Sequence, residues 1–170
     1  MSLAAPCRFF SALALALCLL LSMTPQAAQA QGASAPKYSA VRIISPVTAT
    51  GDAATVPAAL EISLSPNWKT YWRTPGDAGL APAIDAAGSD NIARVDILYP
   101  APHRFTIFDI DNFGYKDQVT LPIEITPVTA GQAVAARLRV DLLVCSDICV
   151  PESHNVSLDL PAGPAVASPD

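Results

Sequence analysis

The stretch VAARLRVDLLV, residues 134–144, decides the fold. Val134, Ala136, Leu138, Val140, Leu142 and Val144 fall at every second position, with Ala135, Arg137, Arg139 and Asp141 among the residues between them. A period of two is that of a strand with one face buried and the other in water. The pattern recurs on both sides. Ala58, Leu60, Ile62 and Leu64 alternate with Glu61 and Ser63, and Val156, Leu158 and Leu160 alternate with Ser157 and Asp159. Residues 41–45, 68–73, 92–99 and 117–126 are further strand candidates. No stretch repeats its apolar residues at helical spacing, and SPN, TPGDAG, YPAP and PVTAGQ supply turns between the strands. Seven or eight antiparallel strands of this kind predict an all-β protein, an immunoglobulin-like β-sandwich, with a closed barrel as the alternative.

The N-terminus indicates the compartment. Arg8 precedes an apolar run from Phe9 to Met23, and the small-residue site Ala28-Gln29-Ala30 follows. This is the build of a secretory signal peptide, cleaved after Ala30. The run falls short of the roughly 20 residues that a spanning helix needs. Leu17 before Cys18 does not suit a lipoprotein site, so Cys7 and Cys18 leave with the leader. The expected organisation is a signal peptide over 1–30, a flexible leader over 31–40, one domain over 41–160 and a disordered Pro/Ala tail over 161–170. The chain carries a net charge of −5 and no run of basic residues. Nucleic acid and anionic membrane surfaces are therefore not expected partners. No second apolar stretch reaches spanning length, so no membrane insertion is expected after cleavage, and the compartment permits disulfides.

Two segments are rich in aromatic residues. In NWKTYWRTPGDAGLAP, Trp68, Thr70 and Trp72 share one strand face while Lys69, Tyr71 and Arg73 share the other. One tryptophan in the core with a neighbour over a sheet edge accounts for this, and a stacking platform for a ligand is the alternative. In HRFTIFDIDNFGYKDQ, residues 103–118, regular alternation fails, and Phe105, Phe108, Phe113 and Tyr115 stand among Asp109, Asp111 and Asp117. A loop with several aromatics reads either as a connection folded onto its own domain or as a lid over a reactive site. A calcium loop built on the three aspartates lacks the EF-hand spacing and its glycine.

Beyond Val144 the sequence runs VCSDICVPE, and Cys145 and Cys149 are the cysteines of the mature chain. Residues four apart in a strand are roughly 13 Å apart, whereas a disulfide needs its Cα atoms within about 7 Å. If the two bond, Ser146-Asp147-Ile148 must turn sharply, which puts the pair at the tip of a connection between strands. Three chemistries suit such a pair. A structural brace is the commonest in secreted proteins, although closing so short a loop stabilises by only about 2 kcal/mol. A Cu(I) or zinc site would recruit His154, with His103 as a further candidate, but the mature chain offers no methionine for copper and no full set of four ligands for a structural zinc. A redox pair needs closeness and exposure. The sequence gives no helix N-terminus or basic cluster to lower a thiol pKa, and Asp147 and Glu152 oppose thiolate formation.

Four segments, NWKTYWRTPGDAGLAP, YPAPHRF, FGYKDQVTLPI and LLVCSDICVPE, together resemble the periplasmic N-terminal domain of the DsbD/ScsB group of thiol–disulfide interchange proteins, the copper-tolerance ScsB branch more than DsbD proper. The resemblance runs from about Val41 to Leu160. It implies an immunoglobulin-like sandwich in the periplasm whose cysteine pair takes electrons from a membrane-embedded thiol donor. The pair would pass them to thioredoxin-like periplasmic oxidoreductases as a protein-disulfide reductase, with no cofactor. By position, Cys149 matches the attacking sulfur and Cys145 the resolving one. An aromatic cap shields the pair in the family, and the match falls near Phe108, with Phe113 and Tyr115 as further candidates. DsbD proper has five residues between its cysteines and this chain three. Full-length members continue into a membrane domain and a thioredoxin-like domain, so the chain is expected to be a stand-alone relative or a fragment whose donor is a separate protein. The competing expectations are a copper-responsive protein binding Cu(I) through Cys145, Cys149 and His154, and a non-redox adaptor whose disulfide is structural.

Overall fold

The computed structural model describes residues 37–107 and 109–169. The signal peptide expected over 1–30 and residues 31–36 of the leader lie outside the described residues. Ten strands follow in chain order: β1 (Ser39–Ile44), β2 (Val56–Leu64), β3 (Lys69–Gly76), β4 (Ala83–Asp85), β5 (Ile92–Ile97), β6 (His103–Ile107), β7 (Ile110–Lys116), β8 (Gln118–Pro127), β9 (Val134–Cys145) and β10 (Cys149–Leu160). All their pairings are antiparallel. One sheet runs β1-β2-β8-β5, and the other runs β10-β9-β3-β7-β6 with β4 against β9.

The alternating stretches become the buried faces of these sheets. Val56, Ala58, Leu60 and Ile62 of β2 and Val119, Leu121, Ile123 and Ile125 of β8 gather with Val134, Ala136, Leu138, Val140, Leu142 and Val144 of β9 in one cluster. Each fully buried Val, Leu or Ile contributes about 1.5–3 kcal/mol, so this cluster supplies most of what holds the two sheets. The chain passes between sheets at Asp117. Lys116 pairs with Lys69 in the second sheet, and Gln118 pairs with Ser63 in the first. Asp117 makes that corner with a left-handed φ of 60°, a conformation aspartate tolerates better than most residues.

Three differences from the sequence reading have physical reasons. Within the stretch 103–118, expected as a loop, His103–Ile107 and Ile110–Lys116 form the paired strands β6 and β7. Their apolar and polar residues follow no simple period: β6 is an edge strand with His103, Arg104 and Thr106 exposed, while polar Asn112 is buried in β7 and Phe113 beside it is exposed. The strand expected to begin near Val156 starts at Cys149, since Glu152 and His154 occupy two of its buried positions and hide the alternation. Residues 161–169, expected as a loose tail, run beside 46–51. Thr48 N donates to Val166 O and Ser168 N to Pro46 O, at 3.0 and 2.7 Å. Backbone pairing of this kind needs no side-chain pattern, so a Pro/Ala composition does not reveal it.

Candidate functional site

The site lies at the end of the β9–β10 hairpin. Twelve residues of β10 pair with β9 in unbroken register, and the last pair is Cys149 opposite Cys145. The three residues between them turn back, with Ser146 N donating to Ile148 O at 2.9 Å. The cysteines form a disulfide with Cα atoms 4.1 Å apart. That is the sharp turn which the spacing required. Cys145 is fully buried, whereas Cys149 is exposed and sits next to Ile148, itself 57% exposed.

The wall behind Cys145 comes from β3 and β6. The Tyr71 hydroxyl donates to Cys145 Sγ at 3.0 Å and lies 4.0 Å from Cys149 Sγ. Tyr71 is almost wholly buried, among Ile107, Cys145, Phe105 and Leu143. The Phe105 ring lies 6.1 Å from the Tyr71 ring, centre to centre. Gly79 packs flat against the other side of Tyr71: a Cβ there would stand 2.3 Å from the ring. Burial pushes the Tyr71 phenol above its ordinary pKa of 10.0, so the hydroxyl remains a donor at neutral pH. Tyr71 is not assigned to the site by sequence, and Phe105 enters it only as one of the aromatics in the segment read as a connection or a lid. The signal that could have found Tyr71 is an apolar-bodied residue on the strand face shared with Lys69 and Arg73.

The cap candidates are dispersed. Phe108 lies outside the described residues. Phe113 is 37% exposed, on the face of β7 turned away from the disulfide. Tyr115 is a core residue of the main cluster, its hydroxyl donating to Pro100 O at 2.9 Å. Burial, helped by neighbouring Tyr99 and opposed by Arg73, pushes its pKa up to about 12. Among the described residues, the aromatic side chain brought to Cys145 and Tyr71 is Phe105.

The metal set is not brought together. Cys149 and His154 are five residues apart in a strand, roughly 16 Å, and point to opposite faces. Among the described residues no three His, Cys, Asp or Glu side chains group as metal ligands. His154 instead joins a buried polar knot. Glu152 accepts from Tyr38 N at 2.5 Å, Ser39 N at 3.2 Å and Ser39 Oγ at 2.5 Å. His154 Nε2 meets both Ser39 Oγ, at 2.9 Å, and Glu152, at 3.2 Å. Both contacts fall on one ring nitrogen, so this is no relay from carboxylate through imidazole to hydroxyl. The knot ties the start of β1 to β10 and keeps the Glu152 charge on the face away from the sulfurs. Of the three aspartates, Asp111 pairs with Arg104, which holds its carboxyl below the ordinary range. Asp109 and Asp117 occupy left-handed turn positions, at φ 59° and 60°. Trp68 stacks on Tyr38 at 3.7 Å and Trp72 carries the Arg73 guanidinium, so both tryptophans are engaged by the fold.

The family model described as the N-terminal part of the thiol:disulfide interchange protein DsbD matches residues 38–161. Among solved structures, the N-terminal periplasmic domain of ScsB from Proteus mirabilis is similar at 29% identity and a TM-score of 0.63. That alignment covers 78% of this chain and 50% of the other, so the chain spans half the length of the ScsB structure. The N-terminal domain of DsbD from Neisseria meningitidis, in its reduced form, aligns over 72% of this chain and 87% of its own at 10% identity and a TM-score of 0.39. No curated protein matches the sequence.

Proposed function

The chain belongs to the family of DsbD N-terminal domains, and on that premise we propose that it is a periplasmic module of the ScsB kind, exchanging electrons through Cys145 and Cys149. The observation that carries this reading is the asymmetry of the pair, an exposed Cys149 bonded to a fully buried Cys145 beneath a tyrosine hydroxyl. In the reduced form, the Cys149 thiolate attacks a partner's disulfide. One partner sulfur leaves as thiolate and a mixed disulfide forms. The Cys145 thiolate then attacks Cys149 Sγ, releasing the second partner thiolate and restoring the Cys145–Cys149 bond. Two electrons pass to the partner, and the two thiolates it gains take up protons from solvent. A dithiol donor reverses the sequence to recharge the module. In the cell that donor is a membrane-embedded thiol protein, and the acceptors are thioredoxin-like oxidoreductases.

The two sheets form an immunoglobulin-like sandwich in this reading, and the hairpin β6–β7 is its cap. Ile107 and Phe105 pack against Cys145 and Tyr71. Lifting the hairpin would open the buried sulfur to the resolving step. The test is the reduction potential of the pair, together with trapping by Cys145→Ala. A potential above about −300 mV and an accumulating mixed disulfide through Cys149 are expected. A potential below that value, the range of inert structural bonds, removes the carrier reading.

A further inference from the structure

The outer face of the second sheet carries a feature that the exchange chemistry does not use. Lys69 stands directly opposite Cys145 on one side and directly opposite Lys116 on the other. Residues opposite each other across antiparallel strands share a face, with Cβ atoms about 4.5–5.5 Å apart. The two lysines therefore project side by side from the face that carries the sulfurs. His103 opposes Gly114 one strand further on, so it joins them on that face across a position with no side chain. Lys69, Lys116, His103, Arg104, Phe105 and Tyr115 line a recess of about 290 Å³.

Like charges directly opposite one another destabilise a sheet. Among the described residues no opposite charge relieves the pair. Lys69 Nζ donates to Asn67 O at 3.1 Å and lies 5.9 Å above the Phe105 ring, and among the described residues neither lysine meets a carboxylate. Among the described residues, Arg104 is the one basic group of the recess that meets a carboxylate, that of Asp111. The conflict stands out in a chain whose net charge is −5. A local rule broken without compensation inside the fold is what a functional surface looks like when its counter-charge comes from outside.

We infer that this recess receives an acidic segment of the redox partner, one or more Asp or Glu side chains flanking the partner's own disulfide. The inference rests on the exchange reading and adds to it which partners dock. Lys69 lines the recess and pairs with Cys145 in the sheet, so a carboxylate held there brings a neighbouring disulfide toward Cys149. Phe105 supplies an apolar floor for the stem of an acidic side chain. Steering of this kind raises association rates by about 10- to 1,000-fold at low salt.

The test uses the full chain in its dithiol form and three oxidants: two peptide disulfides identical except for flanking Glu or flanking Lys, and hydroxyethyl disulfide as an uncharged probe. The Glu peptide is expected to react about tenfold faster than the Lys peptide at low ionic strength. That advantage should shrink once the screening length falls to about 8 Å, near 0.15 M salt. In Lys116→Glu and in His103→Glu the preference should vanish or reverse, with the hydroxyethyl disulfide rate retained. Equal rates for the two peptides, or a Glu preference that survives both substitutions, overturns the docking inference. Failure with all three oxidants overturns the exchange reading beneath it instead.

Discussion

Replacing Tyr71 by phenylalanine removes one hydroxyl and leaves the ring that fills the space between Phe105, Ile107 and Gly79. In the disulfide form that hydroxyl donates to a neutral sulfur at 3.0 Å, a bond whose net worth is about 0.5–1.5 kcal/mol. In the dithiol form the same donor faces a sulfur that can ionise, and a bond to a charged acceptor is worth about 1.5–3 kcal/mol. The difference, about 1–1.5 kcal/mol, favours the Cys145 thiolate over its thiol. One pKa unit corresponds to about 1.36 kcal/mol. Tyr71→Phe should therefore raise the Cys145 thiol pKa by about one unit. Because the lost interaction favoured the reduced, ionised state, the pair should also become more reducing, by about 20–30 mV above the thiol pKa, where about 1.4 kcal/mol equals 30 mV. The folded disulfide form should lose no more than about 1.5 kcal/mol of stability.

The assay is the ultraviolet absorbance of the thiolate against pH, measured in Cys149→Ala so that Cys145 titrates alone, with and without Tyr71→Phe. Equilibration of the intact pair with glutathione gives the potential. An unchanged or lowered Cys145 pKa in the phenylalanine variant would refute the role given to the hydroxyl. A loss of several kcal/mol in the oxidised form would show that Tyr71 acts mainly by packing.

Reducing the disulfide should cost about 2 kcal/mol of stability and leave the sheets intact, since the closed loop holds only the residues from Cys145 to Cys149. Denaturant midpoints with and without reductant check this, and a loss well beyond about 5 kcal/mol would make the bond a brace. His154 gives a pH dependence of opposite origin. Burial first, then Lys37, lower its pKa below 6.5 in the folded state, while Glu152 pulls the other way. The unfolded chain then binds a proton before the folded one does, so stability should fall as pH drops through about 6.5. His154→Gln should flatten the urea midpoint across that window, and a wild-type midpoint that does not move there contradicts the reading.

Much of the fold was legible because β2, β8 and β9 follow one rule, apolar residues at alternate positions facing a common core. The rule fails where polar groups take buried positions by bonding to one another. Glu152 and His154 satisfy themselves on Ser39 and on the backbone of Tyr38, at the opposite end of the domain's sequence, and so conceal the first half of β10. It fails again in β6–β7, where an edge strand leaves Phe113 exposed while polar Asn112 is buried. The sulfurs themselves could be found from spacing and turn geometry. Their surroundings could not, because Tyr71, Phe105 and Lys69 reach Cys145 through cross-strand register, and register is a property of the folded sheet rather than of any one segment.

That dependence on register also bears on how the module can work. The sequence offered no basic cluster near the cysteines, since Lys69, His103 and Lys116 lie in separate strands, and two nearby acids argued against a thiolate. Folding reverses the balance. It turns Glu152 to the other face, where it accepts hydrogen bonds from Ser39 and Tyr38, and it lines the sulfur face with Lys69 and the Tyr71 hydroxyl. Meanwhile the ladder runs unbroken from Leu160–Val134 to Cys149–Cys145, so eleven further residue pairs hold the hairpin besides the one the disulfide joins. A bond that the fold does not need can open and close while the sheet stays in place. The proposed exchange requires this twelve-residue strand to keep Cys149 at the surface in both redox states, which is the condition for handing electrons on without unfolding the carrier.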